Sequence, residues 1–421
     1  MTTNAPSTAG TATQDPPKLR AGLVWILVFL TFGASMTVVT PLSYSMTVKL
    51  NILVPGRVDV LGYVTAAGAI LSVIATPLVG VLSDRTRGPL GRRRPWVIGG
   101  AILGTAALFT LATAPNVAIL ALAWMITLVS WQASTNMVIS FMGDRLPEQQ
   151  RGRVAAWNGM ANNVAPIFGV LLVTPFTHSM VPLFLVPGSV AILGVLLFAI
   201  FAKDVPVERS AQVSAKEILS RMVFNPRKAP DFAWNWLGRF ALFLGVSFTT
   251  TYGAYFFAAR LHKDVADVAG VMATMGSIGV VAGILGAIGV GYLSDKLRRR
   301  KIFVVGAGVI MLAGGIVSAS SFSFTGLLIG SVLTNLAIGA FSTVDQALVL
   351  DVLPNRAESG RYIALMQVAQ QIPTALGPLL AAGLLAIGGA ANPNYTLLYI
   401  ASGAFALLGA LIILFRVRAV R

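Results

Sequence analysis

Cysteine is absent from the 421 residues, histidine occurs twice, and only 11% of positions are charged. Without a thiol there is neither a disulfide framework nor a thiolate metal site, and His178 and His262, both near expected helix ends, offer no ligand cluster. Catalytic signatures are missing too: no H-E-x-x-H, G-x-S-x-G or Walker pattern occurs, so neither a membrane enzyme nor a cofactor is expected. What fills the chain is apolar: 56% of residues, more than a soluble core of this length could hide. Lipid is the expected solvent for most of it.

A helix needs about 20 mostly apolar residues to cross the hydrocarbon. Such runs fall at 21–46, 58–83, 96–114, 116–142, 154–177 and 182–202, then at 232–259, 266–293, 301–320, 325–350, 361–389 and 394–415. Six plus six spans predict an all-α membrane protein of two six-helix bundles, 21–202 and 232–421, joined by a cytoplasmic linker over 203–231 with six basic residues. Residues 1–20, rich in Thr, Ala, Ser and Pro, read as a disordered cytoplasmic tail. The apolar run from Ala21 is too long for the core of a signal peptide.

Lys and Arg retained on the cytoplasmic side set the orientation of such proteins. Of 31 basic residues, 26 fall on the face that carries the termini, Lys49, Arg57, Arg260 and Lys263 on the other, and Arg239 inside the seventh span. Both termini are therefore expected in the cytoplasm, with the protein in the inner (plasma) membrane. A net charge of +16 would suggest nucleic acid in a soluble protein. Here it reads as topological bias plus attraction to anionic lipid heads, with no nucleic-acid partner.

The halves repeat. Gly80-Val-Leu-Ser-Asp84-Arg85 is matched 211 residues on by Gly291-Tyr-Leu-Ser-Asp295-Lys296, and Asp144-Arg-Leu-Pro147 is matched 207 on by Asp351-Val-Leu-Pro354. Gly152-Arg153 and Gly360-Arg361 follow, then helices with mid-span prolines Pro166 and Pro373. Paired six-helix halves suit alternating access, in which the halves rock around a site near the midplane. A sensor or structural protein needs no such symmetry.

The stretch GVLSDRTRGPLGRRRPW, Gly80 to Trp96, resembles the loop 2/3 signature of the major facilitator superfamily. Its S-D-R…G-R-R-R-P form is similar to the branch of glycoside/cation symporters and plant-type sucrose transporters, and VDQALVLDVLP, Val344 to Pro354, is similar to bacterial members of that branch. The resemblance covers the chain from about residue 20 and implies a cytoplasmic gate latched by Asp84 with Arg85 and Arg94. Arg153 is a further basic partner, and Asp295 a weaker second copy. A plain surface-anchoring role for these charges is the alternative. Melibiose-type relatives carry acids in their early helices for sodium, whereas the first two spans here have none within them, so proton coupling or uniport is expected instead.

Of 15 acids only Asp345 lies well inside a span, where an ionisable group costs a few kcal/mol unless it faces a cavity or a partner. Asp345 is a candidate coupling group, and an ion pair with Arg239 of the seventh span is the competing or coexisting role. The resemblance implies a cavity lined by spans 1, 4, 5, 7, 10 and 11. There the polar and aromatic candidates for solute contact are Tyr44, Trp131, Gln132, Asn136, Asn158, Asn162, Asn163, Tyr252, Tyr255, Gln346, Gln367, Gln370 and Gln371. Amides beside rings suit polyhydroxylated ligands, while buried Asn and Gln also bond helix to helix.

The expected function is a proton-coupled secondary transporter of a sugar, glycoside or similar small polar solute, acting as a monomer in the bilayer. Proton-driven efflux of an amphiphile is the second possibility, and a lipid translocase or non-transporting sensor the third.

Overall fold

The computed structural model describes residues 19–418 apart from 87, 89–90, 203–223, 356–357, 388 and 390–391. The tail and most of the linker expected from the sequence lie outside the described residues. Among the described residues, twelve helices are long and apolar enough to span a membrane. They are α1 (Ala21–Leu53), α2 (Asp59–Arg85), α3 (Arg94–Thr113), α4 (Val117–Arg145), α5 (Gln149–Phe176) and α6 (Met180–Phe201), followed by α7 (Pro230–Leu261), α8 (Val265–Leu297), α9 (Arg300–Ser320), α10 (Phe324–Asp351), α11 (Arg361–Ala386) and α12 (Tyr395–Arg416).

Local chemistry sets many of the ends. Asn116, Ser323 and Asn394 each accept a hydrogen bond from the backbone N–H three residues on, at 3.0, 3.2 and 2.9 Å, and so start α4, α10 and α12. His262 and Arg298 adopt left-handed backbone conformations that stop α7 and α8. α1 runs seven residues beyond its expected end because Pro41, which lacks an N–H, widens the helix into a π segment over Pro41–Ser45 without breaking it.

Both halves pack by one plan. α1 lies on α5 and α6 as α7 lies on α11 and α12, and α4 lies on α2 and α3 as α10 lies on α8 and α9. Backbone approach is closest where side chains are smallest: a Cβ on Gly33 would meet the Ala191 backbone at 2.7 Å, and one on Gly245 would meet the Ser402 carbonyl at 2.3 Å. A second symmetry appears at the ends away from the basic loops. Lys49 Nζ donates to the Ala112 carbonyl at 2.9 Å, and Arg260, 211 residues on, donates to the Ala319 carbonyl, 207 on, at 2.7 Å. Each basic side chain thus caps the last turn of the third helix of its half, where the carbonyls lack helical partners.

Among the described residues, the halves pack most extensively through α2 with α11 and α5 with α8. On the face opposite the basic loops, the far face, one buried cluster draws on both halves, from Tyr44, Leu61 and Val64 to Tyr252, Ala382 and Leu385. Towards the basic face the cores are separate, one around Trp131, Phe141 and Phe198, the other around Phe232, Phe341 and Leu348. The molecule is shut at the far face and parted at the basic face.

Candidate functional site

The closed end is bolted by tyrosines. Tyr44, turned towards the second half beyond Pro41, donates to the Ala266 carbonyl at 2.6 Å, and Tyr255 donates back to the Thr47 carbonyl at 3.4 Å. Tyr252 donates to the Pro378 carbonyl at 3.3 Å where α11 meets Gly62 of α2. Such bonds contribute roughly 0.5–1.5 kcal/mol each, and all three side chains are buried. The sequence placed these tyrosines among solute contacts; the structure puts them in the seal above the cavity.

Below the seal the same helix faces open. On α11 the stripe Gln367, Gln371 and Thr374 is exposed, and its continuation Pro378 and Ala382 is buried against α2. On α5 Gly152, Ala155, Gly159, Asn162 and Asn163 are exposed, whereas Ile167 touches Gly276 of α8. Gln132 on α4 and Gln346 on α10 are exposed, and Asn136 is half-buried. Ser35 of α1 donates to the Asn162 side-chain oxygen. The expected amides Gln132, Asn136, Asn162, Asn163, Gln346, Gln367, Gln370 and Gln371 therefore lie on the halves' open or partly open surfaces. Trp131 does not: it is fully buried on α4, its indole against Gly104 of α3. Asn158 is half-buried and donates to Met142 sulfur within the first half at 3.1 Å.

Deeper, a cavity of about 250 Å³ lies between α5, α7, α8 and α10. Ser43, Thr250, Ser331, Thr334 and Asn335 are among its polar groups, Ile167, Met272 and Phe257 make up much of its apolar wall, and among the described residues no Asp, Glu, Lys, Arg or His lines it.

About two turns along α10 from Ile338 of that lining sits the one ion pair buried in a span among the described residues. Arg239 Nη1 donates to Asp345 Oδ2, and its Nη2 donates to Gln370 Oε1 at 3.1 Å. The guanidinium lies over the Phe243 ring, 5.4 Å from its centroid. Asp345 is 2% exposed. A charge held so far from water persists only when paired and hydrogen-bonded. The planar fork of arginine does this with two partners at once. Asp345 Oδ1 and Arg239 Nε have no hydrogen-bond partner among the described residues. Gln370, expected as a solute contact, holds Arg239 here.

At the basic face the gate charges take different partners from those expected. Asp84 pairs with Arg93 at 2.9 Å and Arg92 at 3.7 Å, and Asp144 pairs with Arg92 at 2.7 Å and Arg93 at 3.5 Å, so four charges tie the ends of α2 and α4 to the start of α3. Arg94 donates to the Ala199 carbonyl of α6, and Arg85 is exposed. Arg153 lies on α5, outside this network, and Asp295 has no ion-pair partner among the described residues. In the second half the pair is Arg300 with Asp351. The repeat carried the signal: Arg93 and Arg300 stand 207 apart, as Asp144 and Asp351 do. Every one of these bonds stays within one half.

A family model described as Major Facilitator Superfamily matches residues 24–325 and 269–421. The general alpha-glucoside permease of Schizosaccharomyces pombe is 29% identical over 122 residues, 25% of this chain and 22% of that protein. An uncharacterized symporter of Synechocystis is 51% identical over 41 residues, 10% of this chain and 8% of that protein. The chain thus spans less than a quarter of the length of these curated relatives. Among solved structures, a mutant form of the nucleoside transporter NupG superposes with a TM-score of 0.76 at 14% identity, covering 94% of this chain and 100% of that one. A bacterial homolog of the human lysosomal transporter Spinster, inward-facing and unoccupied, gives 0.68 at 16% identity, covering 96% and 98%.

Proposed function

Because the chain belongs to the Major Facilitator Superfamily, we propose that it is a proton-coupled secondary transporter of a neutral polyhydroxylated solute, a sugar or glycoside, working by alternating access. In this reading the basic face is cytoplasmic, the membrane is the inner (plasma) membrane, and the structure is the inward-open state of a monomer. One observation carries it: the cavity lining offers hydroxyls and the Asn335 amide but, among the described residues, no charged group, and the buried charges of Arg239 and Asp345 cancel each other. Hydroxyl-rich ligands exchange water for paired donors and acceptors without needing a counter-charge. The stretch shared with the glucoside permease supports the solute class.

The free Oδ1 of Asp345 is where a proton would enter. Protonation removes the counter-charge of Arg239 and leaves it held by Gln370 and Phe243, so the pair has two arrangements that a proton selects between. The experiment is uptake into liposomes containing the purified protein, with a panel of sugars and glycosides under an imposed proton gradient. Asp345→Asn should lose uphill accumulation and keep solute exchange. Undiminished accumulation in that variant would sink proton coupling through Asp345, and no flux of any panel member would sink the solute class. The apolar wall of the deep cavity, Met272, Phe257 and Ile167, favours a second reading, efflux of an amphiphile. Resistance on expression without sugar uptake is its test.

A further inference from the structure

The exposed residues of α5 sort into two stripes. Gly152, Ala155, Gly159, Asn162 and Asn163 are small or polar and run down the side of the helix on which Ile167 meets Gly276 of α8. Round the helix, Arg153, Trp157, Met160, Phe168 and Leu171 are exposed at helical spacing, and all but the arginine are bulky and apolar. A wide apolar stripe bared on a membrane protein meets lipid. Trp157 and Arg153 stand at its basic-face end, the level of the headgroups.

A groove of about 130 Å³ opens there between α5 and α1. Its walls are the indoles of Trp25 and Trp157, 51% and 38% exposed, with ring centroids 5.1 Å apart and planes tilted by 56°. Gln150 fixes the rim: its Oε1 accepts from Leu19 N–H at 3.1 Å, and its Nε2 donates to the Leu19 carbonyl at 3.4 Å. Arg153 lines the groove and has no acidic partner among the described residues. Its counterpart in the repeat, Arg361, donates to Glu358 at 2.8 Å. One arginine of the pair brings its own carboxylate; the other presents its fork to the headgroup layer.

We propose that this groove binds the headgroup phosphate of an anionic phospholipid in the basic-face leaflet, with Arg153 taking the phosphate and the contacting indole pair forming one wall beside the glycerol and upper acyl chain. Arginine matches phosphate with two parallel N–H donors, indoles favour the headgroup level, and an anionic leaflet is drawn to basic side chains at its surface. The site is separate from the solute cavity and does not depend on the solute's identity.

The test is tryptophan quenching in the full-length protein, reconstituted in phosphatidylcholine vesicles doped with brominated phosphatidylglycerol or, at equal mole fraction, brominated phosphatidylcholine. Phosphatidylglycerol should quench more. That excess should vanish in Arg153→Gln, survive in large part in Arg153→Lys, and vanish in the double variant Trp25→Phe/Trp157→Phe, with all variants eluting like the parent. Excess inorganic phosphate should leave it unchanged. Equal quenching by the two lipids, or an excess that persists in Arg153→Gln, overturns the proposal. Relief by inorganic phosphate overturns the lipid assignment in favour of a soluble anion.

Discussion

Adding one methyl group at Gly62 tests whether the far-face seal sets the orientation of the molecule. A Cβ there would stand 2.4 Å from the Pro378 carbonyl oxygen, 2.4 Å from the Tyr252 hydroxyl and 3.0 Å from the Ala382 methyl. The carbonyl is backbone of the opposite half and cannot rotate away, so relief requires α2 and α11 to separate. Overpacking of this kind costs about 1–3 kcal/mol. In the proposed alternating-access cycle the seal closes in one state only, so that cost falls on the observed state and raises the opposite one about 5- to 150-fold. The absence of cysteine makes the assay direct, since a single introduced thiol is the sole target of a maleimide. Leu385, buried on α11 a turn beyond Ala382, serves as reporter. Leu385→Cys should react with an impermeant maleimide from the far face about 5- to 150-fold faster when combined with Gly62→Ala, because its rate follows the far-open population. Equal rates in a protein that still elutes and transports would refute the claim that this contact holds the closed end.

Three further outcomes follow from the buried groups. Asp345→Ala should destabilise by about 3–5 kcal/mol because Arg239 is left as an unpaired buried charge, whereas Arg239→Gln combined with Asp345→Asn should recover most of the loss; thermal unfolding in detergent reads both. Lys49→Met, which uncaps Ala112, should lower stability by about 1–3 kcal/mol, and Arg260→Met by more, since Arg260 also donates to Thr396 at 2.7 Å and lies 4.5 Å from the Phe322 ring centroid. Gly245→Val should prevent assembly of the second half, because the Ser402 carbonyl stands 2.3 Å from the first added carbon; size-exclusion profiles would show aggregate where the parent is monodisperse.

The spans were legible because the bilayer imposes one length and one polarity on every helix, and the repeat because two loops keep the same residues at one spacing. The Arg239–Asp345 pair was legible for a related reason: one deep acid and one deep base leave little choice of partner. Placement along the cavity was not. Tyr44, Tyr252 and Tyr255 sit on cavity-lining helices, as expected, but one or two turns into the seal, and where two halves touch is a property of their tilt that no single helix encodes. Asp84 shows the other limit. Arg92, Arg93 and Arg94 are neighbours in sequence, yet α3 begins at Arg94, and a helical step of about 100° sends that side chain to α6 while the two before it reach the acids. Trp131 misled because an indole looks alike in sequence whether it faces a sugar or a glycine.

The matched caps of Lys49 and Arg260 have a consequence for how the protein is built. Synthesis delivers α1 before α3 and α7 before α9, so each basic side chain reaches the far interface before the carbonyl that will receive it exists. Until Ala112 and Ala319 arrive, the two cations must stay among headgroups and water, which holds the ends of α1 and α7 at the surface. Only when the third helix of each half is in place can the charge leave the surface for its carbonyl. Three helices thereby become the smallest unit that can settle, and each half of the molecule acquires its own checkpoint of insertion.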